Sequence, residues 1–223
     1  MIDLATWNLS IPVGVPATTI TTPLLVGGYQ DYYFKSLDGR VLFWTPVNGT
    51  TTANASYPRS ELRETLASGA LRNWTYPGAQ HTLSAQLSIS QVPSTGKIVI
   101  GQIHAHGSSR PMLKLEYQYK TKTATANLVA KIRNSPDDAE GAVLTVLSGI
   151  PLNQTFNYRI TLTPQGVLQV QVNDRLLTRT LNSSWAAKPL YFKAGVYVQD
   201  NSGYETEAGA ATFYDLRISH SAP

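Results

Sequence analysis

The strongest constraint in this sequence is hydrophobic alternation with a period of two. Residues 83–89 place Leu83, Ala85, Leu87 and Ile89 on one side and Ser84, Gln86 and Ser88 on the other. Residues 113–119 repeat the pattern, with Leu113, Leu115, Tyr117 and Tyr119 against Lys114, Glu116 and Gln118. Neighbouring side chains point to opposite faces in an extended chain, so each run reads as a half-buried β-strand. Residues 97–104, 128–132, 158–162, 167–172, 175–181, 190–199 and 211–218 add further β-rich segments. Turn residues separate them at intervals of roughly ten residues. Pro93-Ser94-Thr95-Gly96 and the hairpin pair Asn173-Asp174 are examples. An antiparallel all-β sandwich follows, and helical bundles are disfavoured. With 223 residues and no internal repeat, long linker or low-complexity tract, a single domain over residues 1–223 is expected.

One segment resists this pattern. Residues 60–70 (SELRETLASGA) are rich in helix formers, and Leu62 and Leu66 stand four apart. Local propensity favours a short helix there. As a strand, the same segment would point Arg59, Glu61 and Arg63 to one side.

Composition narrows the chemistry. Charged residues make up 14% of the chain, against roughly 25% in an average globular protein. The absence of cysteine removes disulfides, thiolate metal sites and cysteine nucleophiles. Four histidines leave little for a histidine-built metal site, and no acidic residue stands near His104 and His106 to complete one. A net charge of +4 favours an anionic partner, yet no Lys/Arg block marks a nucleic-acid arm. No segment approaches the ~18 apolar residues of a membrane span. Residues 1–8 lack the basic start and apolar run of a signal peptide, which fits either a cytoplasmic protein or a chain begun at its mature start. The Asn-x-Ser/Thr sequences at Asn8, Asn48, Asn54, Asn73, Asn153 and Asn182 read as chance in an Asn- and Thr-rich chain.

Three short segments carry polar groups at even spacing. Arg59-Ser60-Glu61-Leu62-Arg63 would present two guanidinium groups about 6–7 Å apart on a strand, with a carboxylate between them. Such a face either pairs with itself or grips carboxylates bidentately. Gly101-Gln102-Ile103-His104 puts Gln102 and His104 on one face and Ile103 on the other. The histidine is either a hydrogen-bonded structural residue or a general base with a neutral donor beside it. In residues 191–199, Tyr191, Lys193, Gly195, Tyr197 and Gln199 share a face opposite Phe192, Ala194, Val196 and Val198. The gap at Gly195 is expected to let a ligand approach the backbone.

Together, RSELR (59–63), QIH (102–104) and YFKAGVYVQ (191–199) resemble the alginate lyases of polysaccharide lyase family 7. That family shows R-[ST]-E-L-R, Q-[IV]-H and Y-F-K-A-G-x-Y-x-Q in the same order. The opening Trp7-Asn8-Leu9-Ser10-Ile11-Pro12 is also similar to the family's start, so the resemblance spans nearly the whole chain.

The resemblance implies a β-jelly roll of two curved antiparallel sheets with a substrate groove on the concave face, and residues 59–63 as strand. It implies β-elimination on alginate, without metal or organic cofactor, by a monomer of bacterial origin. Arg59, Gln102, His104 and Tyr197 are then the expected catalytic residues. Arg59 and Gln102 would neutralise the uronate carboxylate. His104 would assist them or act as base, and Tyr197 would protonate the leaving oxygen. Arg63, Lys193, Glu61, Tyr191 and Gln199 would serve substrate binding, Glu61 by holding the arginines in place. Ile103 is expected to favour guluronate-containing polymer, and cleavage is expected within the chain. Two other classes fit less well. A non-catalytic carbohydrate-binding module would need neither Gln-x-His nor the tyrosine motif. A jelly-roll glycosidase needs two carboxylates about 5–10 Å apart, whereas Asp137-Asp138-Glu140 reads as a loop.

Overall fold

The computed structural model describes residues 1–222. In chain order its strands are β1 (Trp7–Ser10), β2 (Thr19–Ile20), β3 (Phe34–Leu37), β4 (Arg40–Pro46) and β5 (Arg59–Glu64). They continue with β6 (Gln80–Gln91), β7 (Lys97–Ala105), β8 (Leu113–Lys120), β9 (Thr125–Ile132) and β10 (Ala142–Ile150). The last are β11 (Phe156–Leu162), β12 (Val167–Val172), β13 (Arg175–Thr180), β14 (Leu190–Val198) and β15 (Ala208–Ser221). A single turn of α-helix, α1 (Thr22–Val26), follows β2.

The strands form two antiparallel sheets. One has eight strands in the order β10-β9-β8-β7-β14-β5-β1-β2, and the other has seven, β13-β12-β11-β6-β15-β4-β3. Alternation decides which side chains lie between them. Along β14, Leu190, Phe192, Ala194, Val196 and Val198 all face the seven-stranded sheet with no exposed surface, while Lys193 and the tyrosines take the other face. Burying a side chain the size of Phe or Leu contributes about 1.5–3 kcal/mol, so a register slip of one residue would invert a large term. Phe43 anchors the opposing layer, edge-on to Phe34 and Phe213 with ring centroids 5.5 and 5.3 Å apart. Polar ties also cross the core. Thr45 Oγ1 donates to the Val196 carbonyl at 3.1 Å, and the Tyr158 hydroxyl donates to the Ile100 carbonyl at 2.9 Å.

Residues 59–64 are strand rather than helix. β5 is hydrogen-bonded on both sides, to β1 and to β14, and every residue in it is buried. A strand flanked on both sides gains packing that outweighs a few tenths of a kcal/mol of helix propensity per residue. The helix formers beyond it make a turn closed by Leu66 N–H donating to the Ala70 carbonyl.

Two irregularities of the eight-stranded sheet lie in the strands that carry the polar motifs. Register shifts lie between Val99 and Gly101 in β7 and between Ala194 and Tyr197 in β14. At Gly101 an added Cβ would meet the Tyr158 hydroxyl at 2.9 Å. Gly195 differs from the expectation of an opening for ligand. It has φ 148, and a Cβ there would meet the Ser60 carbonyl oxygen at 2.6 Å and Glu61 Cα at 2.8 Å. The glycine therefore permits close approach of β5 and β14, not of a substrate.

Candidate active site

The outer face of the eight-stranded sheet carries the polar motifs, because their odd and even positions alternate with core residues. Strand register then assembles them: Tyr197 pairs with Arg59, Gly195 with Glu61 and Lys193 with Arg63 across β14 and β5. On the other side, Tyr191 pairs with His104 and Lys193 with Gln102.

Glu61 is the centre of this arrangement. It is fully buried, and its Oε1 sits 2.9 Å from Arg59 Nη1 and 2.8 Å from Lys193 Nζ. Its Oε2 accepts from Gln102 Nε2 at 2.7 Å. Burial alone would raise its carboxyl, but the Lys193 and Arg59 charges and the hydrogen bonds outweigh that and hold it below the usual carboxylate range. The carboxylate thus orients three side chains at once. Two cations on one buried anion leave the floor with a net positive charge.

The titration of the other groups follows from their surroundings. Burial, reinforced by the Lys193 charge, lowers His104 to about 4, so its imidazole is neutral at pH 7. Both neutral tautomers have a partner: Nδ1 lies 3.1 Å from the Ala105 carbonyl oxygen and 2.9 Å from the Ala105 N–H. With Nδ1 protonated, Nε2 presents a lone pair; with Nδ1 accepting, Nε2 presents a proton. Burial also lowers Lys193, to about 8, and Arg59 adds to the effect against the pull of Glu61. Tyr197 is raised by burial, opposed by the Arg59 guanidinium that lies 3.8 Å over its ring, and so holds its proton at neutral pH.

A cavity of about 510 Å³ gathers Arg59, Gln102, His104, Tyr191, Lys193 and Tyr197 along its floor. Loop residues 52–55 border it, and Gly107, Ser108 and Ser109 do so as well. Glu61 lies beneath this floor. Arg63 and Gln199 are not among its lining residues. Arg63 donates to the Glu64 and Arg72 carbonyls at 2.6 and 2.8 Å and to Asn73 Oδ1 at 2.6 Å. Its guanidinium lies 3.6 Å over the Tyr191 ring, whose other neighbour is His104 at 5.5 Å. Arg63 therefore braces Tyr191. Gln199 lies beyond β14 and donates to the Val198 carbonyl at 3.2 Å. Sequence reasoning missed the bordering loops, which have no periodicity. It also passed over Lys114, which lines the cavity and stands on the polar side of the 113–119 alternation. Among the described residues no group of three or more His, Asp or Glu could hold a metal ion.

The chain matches the family model described as alginate lyase over residues 2–220. An alginate lyase of Klebsiella pneumoniae is 30% identical over 99% of this chain and 90% of its own length. A crystal structure of an alginate lyase from Pseudomonas aeruginosa superposes with a TM-score of 0.95 at 47% identity, covering 98% of this chain and 100% of that one. The structure of A1-II′, described as a member of polysaccharide lyase family 7, gives a TM-score of 0.88 at 34% identity over 100% and 97% of the two chains.

Proposed function

Since the chain belongs to the alginate lyases of polysaccharide lyase family 7 and shares their β-jelly roll, we propose that it cuts alginate internally, at guluronate-containing bonds, using the cavity floor above Glu61. The difficulty of the reaction is charge. Removing the C5 proton beside the C6 carboxylate builds a dianionic enolate, and each preorganised donor aimed at it is typically worth ~10²–10³ in rate. The observation that carries the proposal is the Glu61 cluster, which fixes Arg59, Gln102 and Lys193 around one anion-binding floor. Gln102 uses one N–H on Glu61, so its second N–H is free for the substrate carboxylate beside the Arg59 guanidinium.

The proton transfers fall to His104 and Tyr197. Tyr197 keeps its phenolic proton at neutral pH and gives it to the departing O4. In guluronate the C5 proton lies on the face opposite the leaving group, and neutral His104 takes it through Nε2. In mannuronate proton and leaving group share a face, so Tyr197 serves as both base and acid. A relative supports these roles: A1-II′ was crystallised with the substrate GGMG as a variant bearing a His-to-Asn and a Tyr-to-Phe change. A product complex of the same enzyme contains GGG. Ile103 faces the core beneath the catalytic pair and touches substrate only through the strand that carries it.

Product sizing after brief digestion of poly-mannuronate, poly-guluronate and mixed polymer tests the proposal. Early release of oligomers of many lengths, fastest from guluronate-containing polymer, is expected. Release of one short product from chain ends, or the highest initial rate on poly-mannuronate, would contradict it.

A further inference from the structure

The cavity is lined from four adjacent strands, β5, β14, β7 and β8, and so extends across the sheet. Register defines one row on its floor: Lys193 pairs with Gln102, Gln102 with Lys114, and Lys114 with Lys131. Adjacent strands are about 4.8 Å apart, close to the advance of one 1,4-linked pyranose. A polyuronate lying across the sheet would therefore bring carboxylates past this row at nearly the strand spacing.

The cations of the row differ in availability. Lys193 is bound to Glu61. Lys131 is bound to Glu116 at 2.8 Å, and Gln118 Nε2 donates to the same carboxylate oxygen at 3.2 Å. Arg133, near the end of the row, spends its guanidinium on the Pro111, Asp138 and Ala139 carbonyls. Lys114 is different. Its neighbours Leu113 and Leu115 are buried in the core, which turns Lys114 to the cavity. Among the described residues it makes no ion pair within 4.0 Å. Burial depresses its ammonium, and the nearby Lys131 and Arg133 charges add to this against the pull of Glu116 and Glu140. An arriving carboxylate would relieve both effects.

Resting on the alginate reading above, we propose that Lys114 is a distal subsite that grips a uronate carboxylate on the β8 side of the reacting bond, about two strand spacings from Lys193. A cation held by core packing on both flanks suits this task, because its backbone is fixed while its ammonium makes no ion pair within 4.0 Å among the described residues.

Lys114→Gln, Lys114→Arg and Lys131→Gln, assayed on uronate oligomers of increasing defined length, provide the test. Lys114→Gln is expected to raise KM about five- to tenfold on long oligomers, the worth of roughly one hydrogen bond. Its kcat should be unchanged, and so should its KM on the shortest oligomer cleaved, which does not span to β8. Lys114→Arg should restore the long-oligomer KM, and Lys131→Gln should leave it near wild type. Equal losses at every length, a kcat defect, or the same phenotype in Lys131→Gln would overturn the subsite. If wild type makes unsaturated product and Lys114→Gln is normal at all lengths, only the subsite falls. If wild type makes none, the lyase reading falls with it.

Discussion

At the scale of single residues, the central fact is that one buried carboxylate organises the floor. Replacing Glu61 with Gln leaves Arg59 and Lys193 buried without a counter-charge, a change that costs about 3–5 kcal/mol. The denaturant midpoint should fall accordingly; an unchanged midpoint would mean that the cluster is held by its strands alone. Because Glu61 is depressed in the folded chain, its stabilisation is present above the unfolded carboxyl value and is lost as pH falls through the lower folded value.

The pH profile of kcat/KM reports the free enzyme. His104, lowered to about 4, should set the acid limb, since the imidazole loses its basic form below that pH. Lys193, lowered to about 8, should set an alkaline limb as its charge disappears above that value. Lys193→Arg keeps the charge and should move that limb upward; a limb that stays in place would assign it elsewhere. His104→Asn is expected to hurt guluronate bonds more than mannuronate bonds, because only the former need a base on the opposite face. Equal losses on the two block polymers would make His104 a shared donor to the carboxylate.

At the scale of elements, the legible parts are the strands whose apolar residues stand at alternate positions. In β6, β8 and β14 the apolar residues recur at every second position, so their core residues are readable from the period alone. β10 is not, because this edge strand is exposed on much of both faces and buries little beyond Ile150, leaving no alternation to detect. β1, β2 and β3 are short, with four, two and four residues in the runs Trp7–Ser10, Thr19–Ile20 and Phe34–Leu37. Residues 59–64 were ambiguous for the opposite reason: a strand buried everywhere has no period, and its propensity pointed to helix. The site motifs were visible as spaced polar residues, but the convergence of Arg59, Gln102 and Lys193 on Glu61 depends on strand order, which no local pattern encodes. Arg63 illustrates the limit. It shares the face of Arg59, yet the turn carrying Arg72 and Asn73 occupies its donors.

The space at Gly195 serves the β5 backbone, not a ligand. Gly195→Ala would drive a Cβ into the backbone of β5 at 2.6 Å from the Ser60 carbonyl oxygen and force a φ of 148 on an L-residue. Strain of this kind costs of order 1–3 kcal/mol, and the displaced strand carries Glu61. Both stability and kcat should drop. A variant of wild-type stability would show that β5 and β14 separate freely.

At the scale of the whole molecule, a chain with a net charge of +4 gathers Arg59, Lys114 and Lys193 around one cavity on one sheet. Substrate binding should therefore be ionic. Raising salt from low to physiological strength, where the screening length shrinks to about 8 Å, should raise KM for the polymer while kcat holds. Lys193→Ala should blunt that response. A KM indifferent to salt would contradict an electrostatic groove.

The most direct measurement of the central claim is the rise in ultraviolet absorbance from the conjugated 4,5-unsaturated uronate, followed for wild type and Tyr197→Phe on the same mixed polymer. The phenol is raised by burial and keeps its proton, and the ring would stay under Arg59 in the variant. Acid–base groups contribute ~10²–10⁴ in rate. Wild type should build absorbance steadily, and Tyr197→Phe should lose at least about a hundredfold in kcat with an unchanged unfolding midpoint. A Tyr197→Phe variant that retains more than about a tenth of wild-type kcat would remove Tyr197 from the proton transfer and contradict the account.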